Sequence, residues 1–184
     1  MARISLTPPR SLAYRIGAWY SKRAYGKVLD PGKAFAHNTK VLMATSRFEM
    51  RIGKWNKLDP GLKALAVLAS AGVVGCSWCM DFGYWENHER GVAPEKLRHV
   101  PDWRTTEGVY TDLERRVMEF AEAMTQTVPT VTDEMTQRLI GELGEPAFVE
   151  LTAMIAVENY RSRANSAFGL VGQGFKDRCE VRHP

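Results

Sequence analysis

Apolar residues recur along this chain at three-to-four-residue spacing, and the period-two alternation of half-buried strands is scarce. After Asn38, the positions Val41, Phe48, Ile52 and Trp55, with Thr45 between them, predict an amphipathic helix. Asp59 before Pro60 supplies a backbone acceptor and a preset φ, so Leu62–Val74 reads as a mostly buried helix. Gly72 and Gly75 interrupt it just before Cys76, from which a further helix runs to Arg90 and stops at Gly91. Thr111 and Glu114 have capping-box spacing ahead of Val117, Phe120, Ala121 and Met124, and Pro129 separates that helix from the next. Thr132 caps Asp133–Leu143, Gly144 closes it, and Pro146 opens a long helix through Leu151, Ile155 and Ala156 toward Phe168. The expected fold is all-α, a packed bundle of about seven or eight helices.

Composition narrows this picture. At 184 residues, 45% of them apolar, the chain is sized for one core, with no repeat and no linker between domains. Ala64–Val74 is too short to cross a bilayer, and Met1–Arg10 carries Pro8 and Pro9 without an apolar signal core. The expected location is cytoplasmic, where thiols stay reduced. A net charge of +4 is spread along the chain, with one basic cluster (Arg10, Arg15, Lys22, Arg23, Lys27) around Leu12, Ile16, Trp19 and Tyr20. That cluster reads as an amphipathic helix on its own domain or on a neighbouring subunit. No nucleic-acid partner and no stable membrane insertion are expected. The surplus of aromatic residues predicts a homo-oligomer.

The candidate chemistry concentrates in Gly75-Cys76-Ser77-Trp78-Cys79-Met80-Asp81-Phe82-Gly83, which holds two of the three cysteines. At a helix N-terminus, unpaired N–H groups stabilise a thiolate, which by position alone makes Cys76 the more exposed and more acidic thiol. Half of a zinc site is an alternative, but Cys179, His37, His88, His99 and His183 are scattered, so neither metal nor organic cofactor is expected. Two inert core cysteines are another.

Leu58-Asp59-Pro60-Gly61-Leu62-Lys63-Ala64-Leu65-Ala66, followed by the Cys-x-x-Cys pair, resembles the core of the alkyl hydroperoxidase D and carboxymuconolactone decarboxylase superfamily. So does Phe148-Val149-Glu150-Leu151 leading to Asn159 and Arg163. The likeness covers 34–172, leaving 1–33 as a helical extension and 173–184 as a tail. It implies an all-helical, oligomeric protein with peroxidase or thiol-disulfide activity, Cys79 attacking the peroxide and Cys76 resolving. The resemblance also implies a relay Glu and a relay His, but Ala64 and Gly83 stand at those positions. A thiol near its ordinary pKa of about 8.5 would then be mostly protonated at neutral pH, so a slow rate that climbs with pH is expected.

Two other acids are candidates for proton transfer. Glu86, seven positions past Cys79, returns to nearly the same helix face. Glu158 lies in an apolar stretch, where an acid is either held by Arg161 or Arg163 or functional. Trp78, Phe82, Tyr84 and Trp85 read as core or interface rings, and Cys179 as a surface thiol. The leading functional expectation is a thiol-dependent oxidoreductase with peroxidase activity, using a hydroperoxide or other small substrate and a thiol reductant. The alternatives are a decarboxylase-like enzyme on a small lactone acid and a binding or scaffold protein.

Overall fold

In the computed structural model, residues 2–180 are described; His183 lies outside them. They contain ten α-helices and no strand: α1 (Leu12–Tyr25), α2 (Asp30–Phe35), α3 (Thr39–Ile52), α4 (Pro60–Val74), α5 (Ser77–Glu89), α6 (Pro94–His99), α7 (Asp112–Thr125), α8 (Asp133–Leu143), α9 (Glu145–Phe168) and α10 (Asp177–Glu180). A 3-10 turn, Val100–Asp102, follows α6. The all-α expectation holds. Ten exceed the expected seven or eight because α2, α6 and α10 are short pieces, too brief to carry a readable period.

The predicted caps form as chemistry dictates. The Asp59 carboxylate accepts the N–H groups of Gly61 at 2.8 Å and Leu62 at 3.0 Å. Thr111 and Glu114 close their reciprocal box, the Glu114 carboxylate accepting the Thr111 N–H at 2.9 Å. Asn38 caps α3 through the N–H groups of Lys40 and Val41. That helix stops at Ile52 rather than reaching Trp55, and Val41 and Phe48 are exposed.

The described chain divides into two compact units. One comprises the chain up to Trp55 together with Ala167–Leu170. In it α1, α2 and α3 pack mutually. The Ser21 hydroxyl fixes the α1–α2 turn by donating to the Lys27 carbonyl and accepting the Leu29 N–H. Leu12, Ile16, Trp19 and Tyr20 of α1 all stand exposed.

The other unit comprises Asn56–Ser166 and the chain from Val171 onward. Its axis is α4, which packs against α5 and α7 and buries Leu65, Ala66, Leu68 and Ala71 completely. A helix apolar around most of its circumference has to be enclosed by others. Val117 and Met118 of α7, with Leu151 and Ile155 of α9, join the same core. The α4–α5 approach is close: a Cβ on Gly83 would stand 2.9 Å from Leu68 Cδ2.

The chain beyond Val171 is clasped to α5. The Asp81 carboxylate accepts the N–H groups of Gln173 at 2.6 Å and Lys176 at 2.8 Å, and Trp78 Nε1–H donates to Gln173 Oε1 at 2.9 Å. Phe175 is fully buried, its ring edge-on to Phe82 at 5.2 Å. Cys179 is consequently a buried residue, not the surface thiol expected from its tail position.

Glu150 joins α9 to the start of α4. Burial pushes its carboxyl up, but the Lys63 ion pair and the N–H groups of Lys57 and Leu58 outweigh that and hold it below the ordinary glutamate value. A depressed carboxyl stabilises the fold above its unfolded pKa of about 4.3 and loses that contribution as pH falls through the lower folded value. Unfolding titrations between neutral pH and pH ~3 should therefore show stability falling less steeply in Glu150→Gln than in the wild type. Identical acid limbs would remove Glu150 from this role.

Candidate active site

The turn that delivers the cysteines is built by Gly75, whose φ of 73° ends α4 in the left-handed region. Cys76 is then the N-cap of α5, its sulfur accepting the Cys79 N–H at 3.2 Å. Cys79 sits one turn in, and the two sulfurs are joined in a disulfide with a Cα–Cα distance of 5.3 Å. A three-residue spacing at a helix start puts the two side chains one turn apart, which accounts for that proximity. The spacing did not predict the burial: Cys76 is 2% and Cys79 7% exposed, so Cys76 is not the more accessible thiol.

The wall facing the sulfurs comes from α9. Glu158, Ser162 and Asn165 recur at helical spacing on one face, and all are buried. Ser162 Oγ lies 2.7 Å from Glu158 Oε1 and 3.3 Å from Cys79 Sγ. Asn165 Nδ2 lies 3.4 Å from Cys79 Sγ and 4.0 Å from Cys76 Sγ. One hydroxyl therefore bridges a carboxylate to a sulfur, and one amide dipole points at both sulfurs. Arg161 Nη1 stands 3.5 Å from Glu158 Oε2, the ion pair anticipated at that spacing. Arg163, the other anticipated partner, donates to the Thr125 carbonyl.

Ser162 and Asn165 were missed in the sequence. Their signal was present: polar residues four and seven positions after a buried acid, on its own face. Asn159 and Arg163, quoted for the family likeness, tie α9 to Thr125 of α7. Glu86 pairs with Arg90 at 2.9 Å, a partly exposed i, i+4 contact at the far end of α5, and is not brought to the thiols. Phe82 and Trp85 grip Phe175, while Tyr84 lines a cleft.

Packing also explains the relay positions. A side chain at 83 would collide with Leu68, and Ala64 is enclosed in the α4 core. A larger side chain at either position would require the surrounding core to repack.

An open cleft of about 640 Å³ adjoins the cysteine turn. Leu68, Met80, Tyr84 and Leu97 line it, and Gly75 and Ser77, the neighbours of Cys76, form part of its wall. No described helix is long and apolar enough to cross a membrane.

Comparison with known proteins gives a consistent answer. Residues 39–123 match the model of the carboxymuconolactone decarboxylase family. The chain is 34% identical over 171 residues to the uncharacterized protein YnjA of Escherichia coli K12, covering 91% of this chain and 93% of that protein. Its fold is similar to an uncharacterized peroxidase-related protein from Silicibacter sp. TM1040 (TM-score 0.81, 13% identity, 95% and 92% of the two chains covered). It is also similar to the debrominase Bmp8 solved with 2,3,4-tribromopyrrole (TM-score 0.81, 17% identity, 98% and 99% covered). With the fold, the Cys-x-x-Cys turn and these matches in agreement, the chain belongs to the carboxymuconolactone decarboxylase family, within the superfamily of alkyl hydroperoxidase D.

Proposed function

We propose that this protein is a thiol-dependent oxidoreductase that reduces a hydroperoxide at Cys79, with Ser162 and Glu158 supplying the proton path. The observation that carries this reading is the unbroken line from Cys79 Sγ through the Ser162 hydroxyl to the buried Glu158 carboxylate. In the reduced protein the Cys79 thiol gives its proton to Ser162 as Ser162 gives its own to Glu158. This leaves a thiolate that accepts the hydroxyl proton and a neutral carboxylic acid. No net charge is created in the interior, which is what makes the transfer tolerable there.

The thiolate attacks the outer peroxide oxygen, the O–O bond breaks, and the departing alkoxide takes up the proton held on the relay. Cys79 is then a sulfenic acid and the product an alcohol. The Cys76 thiol attacks the sulfenic sulfur, releasing water and forming the disulfide seen here. An external dithiol returns two electrons and two protons. The Cys79 N–H on Cys76 Sγ, with the N-terminus of α5, makes Cys76 the better-stabilised leaving thiolate in that last step.

The cleft beside the cysteine turn supports a small substrate with an apolar part. The same partly apolar cleft supports one second reading, in which the dithiol reduces a halogenated ring, carbon gaining hydrogen as halide leaves and the sulfurs pair. A brominated pyrrole in place of hydroperoxide in the same assay tests it. The exposed apolar residues of α1 and α3 support self-association, so the mass in solution at micromolar concentration should exceed that of one chain.

With a dithiol reductant, Cys79→Ser should lose peroxide consumption and Cys76→Ser should stall as a trappable sulfenic acid. Ser162→Ala should fall by about a hundredfold or more at neutral pH, the usual scale of acid–base assistance, and should also lose some stability because the buried Glu158 carboxylate is left without its hydroxyl donor. Equal rates for wild type and both cysteine variants would remove the thiol mechanism and leave the lactone enzyme or the scaffold.

Glu158→Ala should also lower stability by about 1–3 kcal/mol, because the Ser162 hydroxyl and Arg161 both lose the carboxylate. Glu158→Gln, which keeps an acceptor for Ser162, should unfold closer to the wild type. A Glu158→Ala protein as stable as the wild type would show that the carboxylate is not needed to hold the helix.

A further inference from the structure

The fold gathers a second set of reactive side chains at the other end of α5, which the thiol chemistry does not use. His88 and Glu89 occupy the last turn of that helix. Cys179, ninety residues later, is carried to them by α10. One ligand atom from each of His88, Glu89 and Cys179 lies within 4.8 Å of the other two. The His88 Nδ1 atom is 4.0 Å from Glu89 Oε1, buried from solvent and without a hydrogen-bond partner. A buried polar atom left unsatisfied costs free energy, so such an atom calls for an explanation.

We infer that His88, Glu89 and Cys179 form a binding site for a thiophilic divalent cation of the zinc class. The donor set is an imidazole nitrogen, a thiolate and a carboxylate. Zinc accepts all three, whereas calcium and magnesium take oxygen. At ordinary zinc bond lengths, tetrahedral ligand atoms lie about 3.3–3.7 Å apart, so the set must close by roughly 1 Å. The Glu89 side chain, 53% exposed at a helix end, has room to make that adjustment. A fourth position remains for water or a solute.

Binding replaces the Cys179 S–H bond by a sulfur–metal bond and releases one proton to solvent. It also satisfies the orphaned His88 nitrogen. The neighbouring Lys176 and Arg178 lie over the rings of Tyr84 at 4.9 Å and Trp85 at 5.0 Å, and their positive charge favours the Cys179 thiolate that the metal needs. The chain from Val171 is already clasped to the first half of α5 by Asp81, and a metal at His88 would pin its other end to the same helix. The site is independent of the peroxidase proposal. It also revises the expectation of no metal: histidine and cysteine positions that are scattered in sequence meet here only because α10 folds back.

The test uses the full chain with the Cys76–Cys79 disulfide intact, so that the reduced pair cannot bind metal, titrated with Co²⁺ and then with Zn²⁺. One Co²⁺ per chain is expected, with thiolate-to-cobalt charge-transfer absorption that Zn²⁺ abolishes by displacement. Cys179→Ser should lose that absorption. His88→Gln and Glu89→Gln, both at partly exposed positions, should weaken binding by more than about a hundredfold, beyond the roughly ten- to hundredfold effects of outer-shell changes. They keep the test decisive if Cys179→Ser fails to fold by circular dichroism. Absence of the charge-transfer band in the wild type, its persistence in a folded Cys179→Ser protein, or unchanged affinity in both glutamine variants would overturn the site.

Discussion

The thiol chemistry proposed for this protein depends on one constraint: a carboxylate, Glu158, is enclosed in an apolar interior and cannot remain there without polar company. Burying such a group costs several kcal/mol unless hydrogen bonds and opposite charge offset it. Here the offset comes from Arg161 on one oxygen and Ser162 on the other. Because Ser162 also touches Cys79, the arrangement that satisfies the acid couples it to the sulfur. Structural necessity and chemistry therefore share the same bonds. That is why the burial of α9 against the first turn of α5, rather than any feature of the cysteines alone, sets what the site can do.

The same logic accounts for the loss of the relay positions implied by the family likeness. In this chain α4 and α5 approach closely at Leu68 and Gly83, where a Cβ at 83 would force the Leu68 side chain to shift. A base had to come from elsewhere or be absent. The α9 face carries the buried Glu158 carboxylate, whose contact with Cys79 runs through the Ser162 hydroxyl. A bridged base of this kind would shift the existing negative charge from carboxylate to sulfur without adding a new one to the core, which suits thiols that are both nearly inaccessible.

Helix existence was legible in the sequence because caps act locally. Asp59, Thr111, Thr132 and Asn38 each satisfy N–H groups within three residues, so their side chains carry the information by themselves. The thiol turn was equally legible, since Gly75 and a three-residue spacing suffice to place Cys76 on the cap and Cys79 beside it. Glu158 could be singled out as an acid among apolar neighbours. Its route to Cys79 could not, because that depends on a contact across eighty-three residues between Ser162 and the thiol. The burial of Cys179 was hidden for the same reason: it follows from Asp81 capturing the backbone at Gln173 and Lys176.

The account is tested most directly by the pH dependence of Cys79 reactivity in the reduced protein, with alkylation by iodoacetamide read at that residue by peptide mass spectrometry. If Cys79 and Glu158 share one proton through Ser162, the thiolate fraction is set by their mutual equilibrium. The rate in the wild type should then stay nearly level across neutral pH and fall only where Glu158 gains a proton of its own. In Glu158→Gln the thiol must titrate alone, and its rate should climb close to tenfold per pH unit up to a pKa of about 8.5 or above. The same steep rise in both proteins would contradict the relay and return Glu158 to a purely structural role.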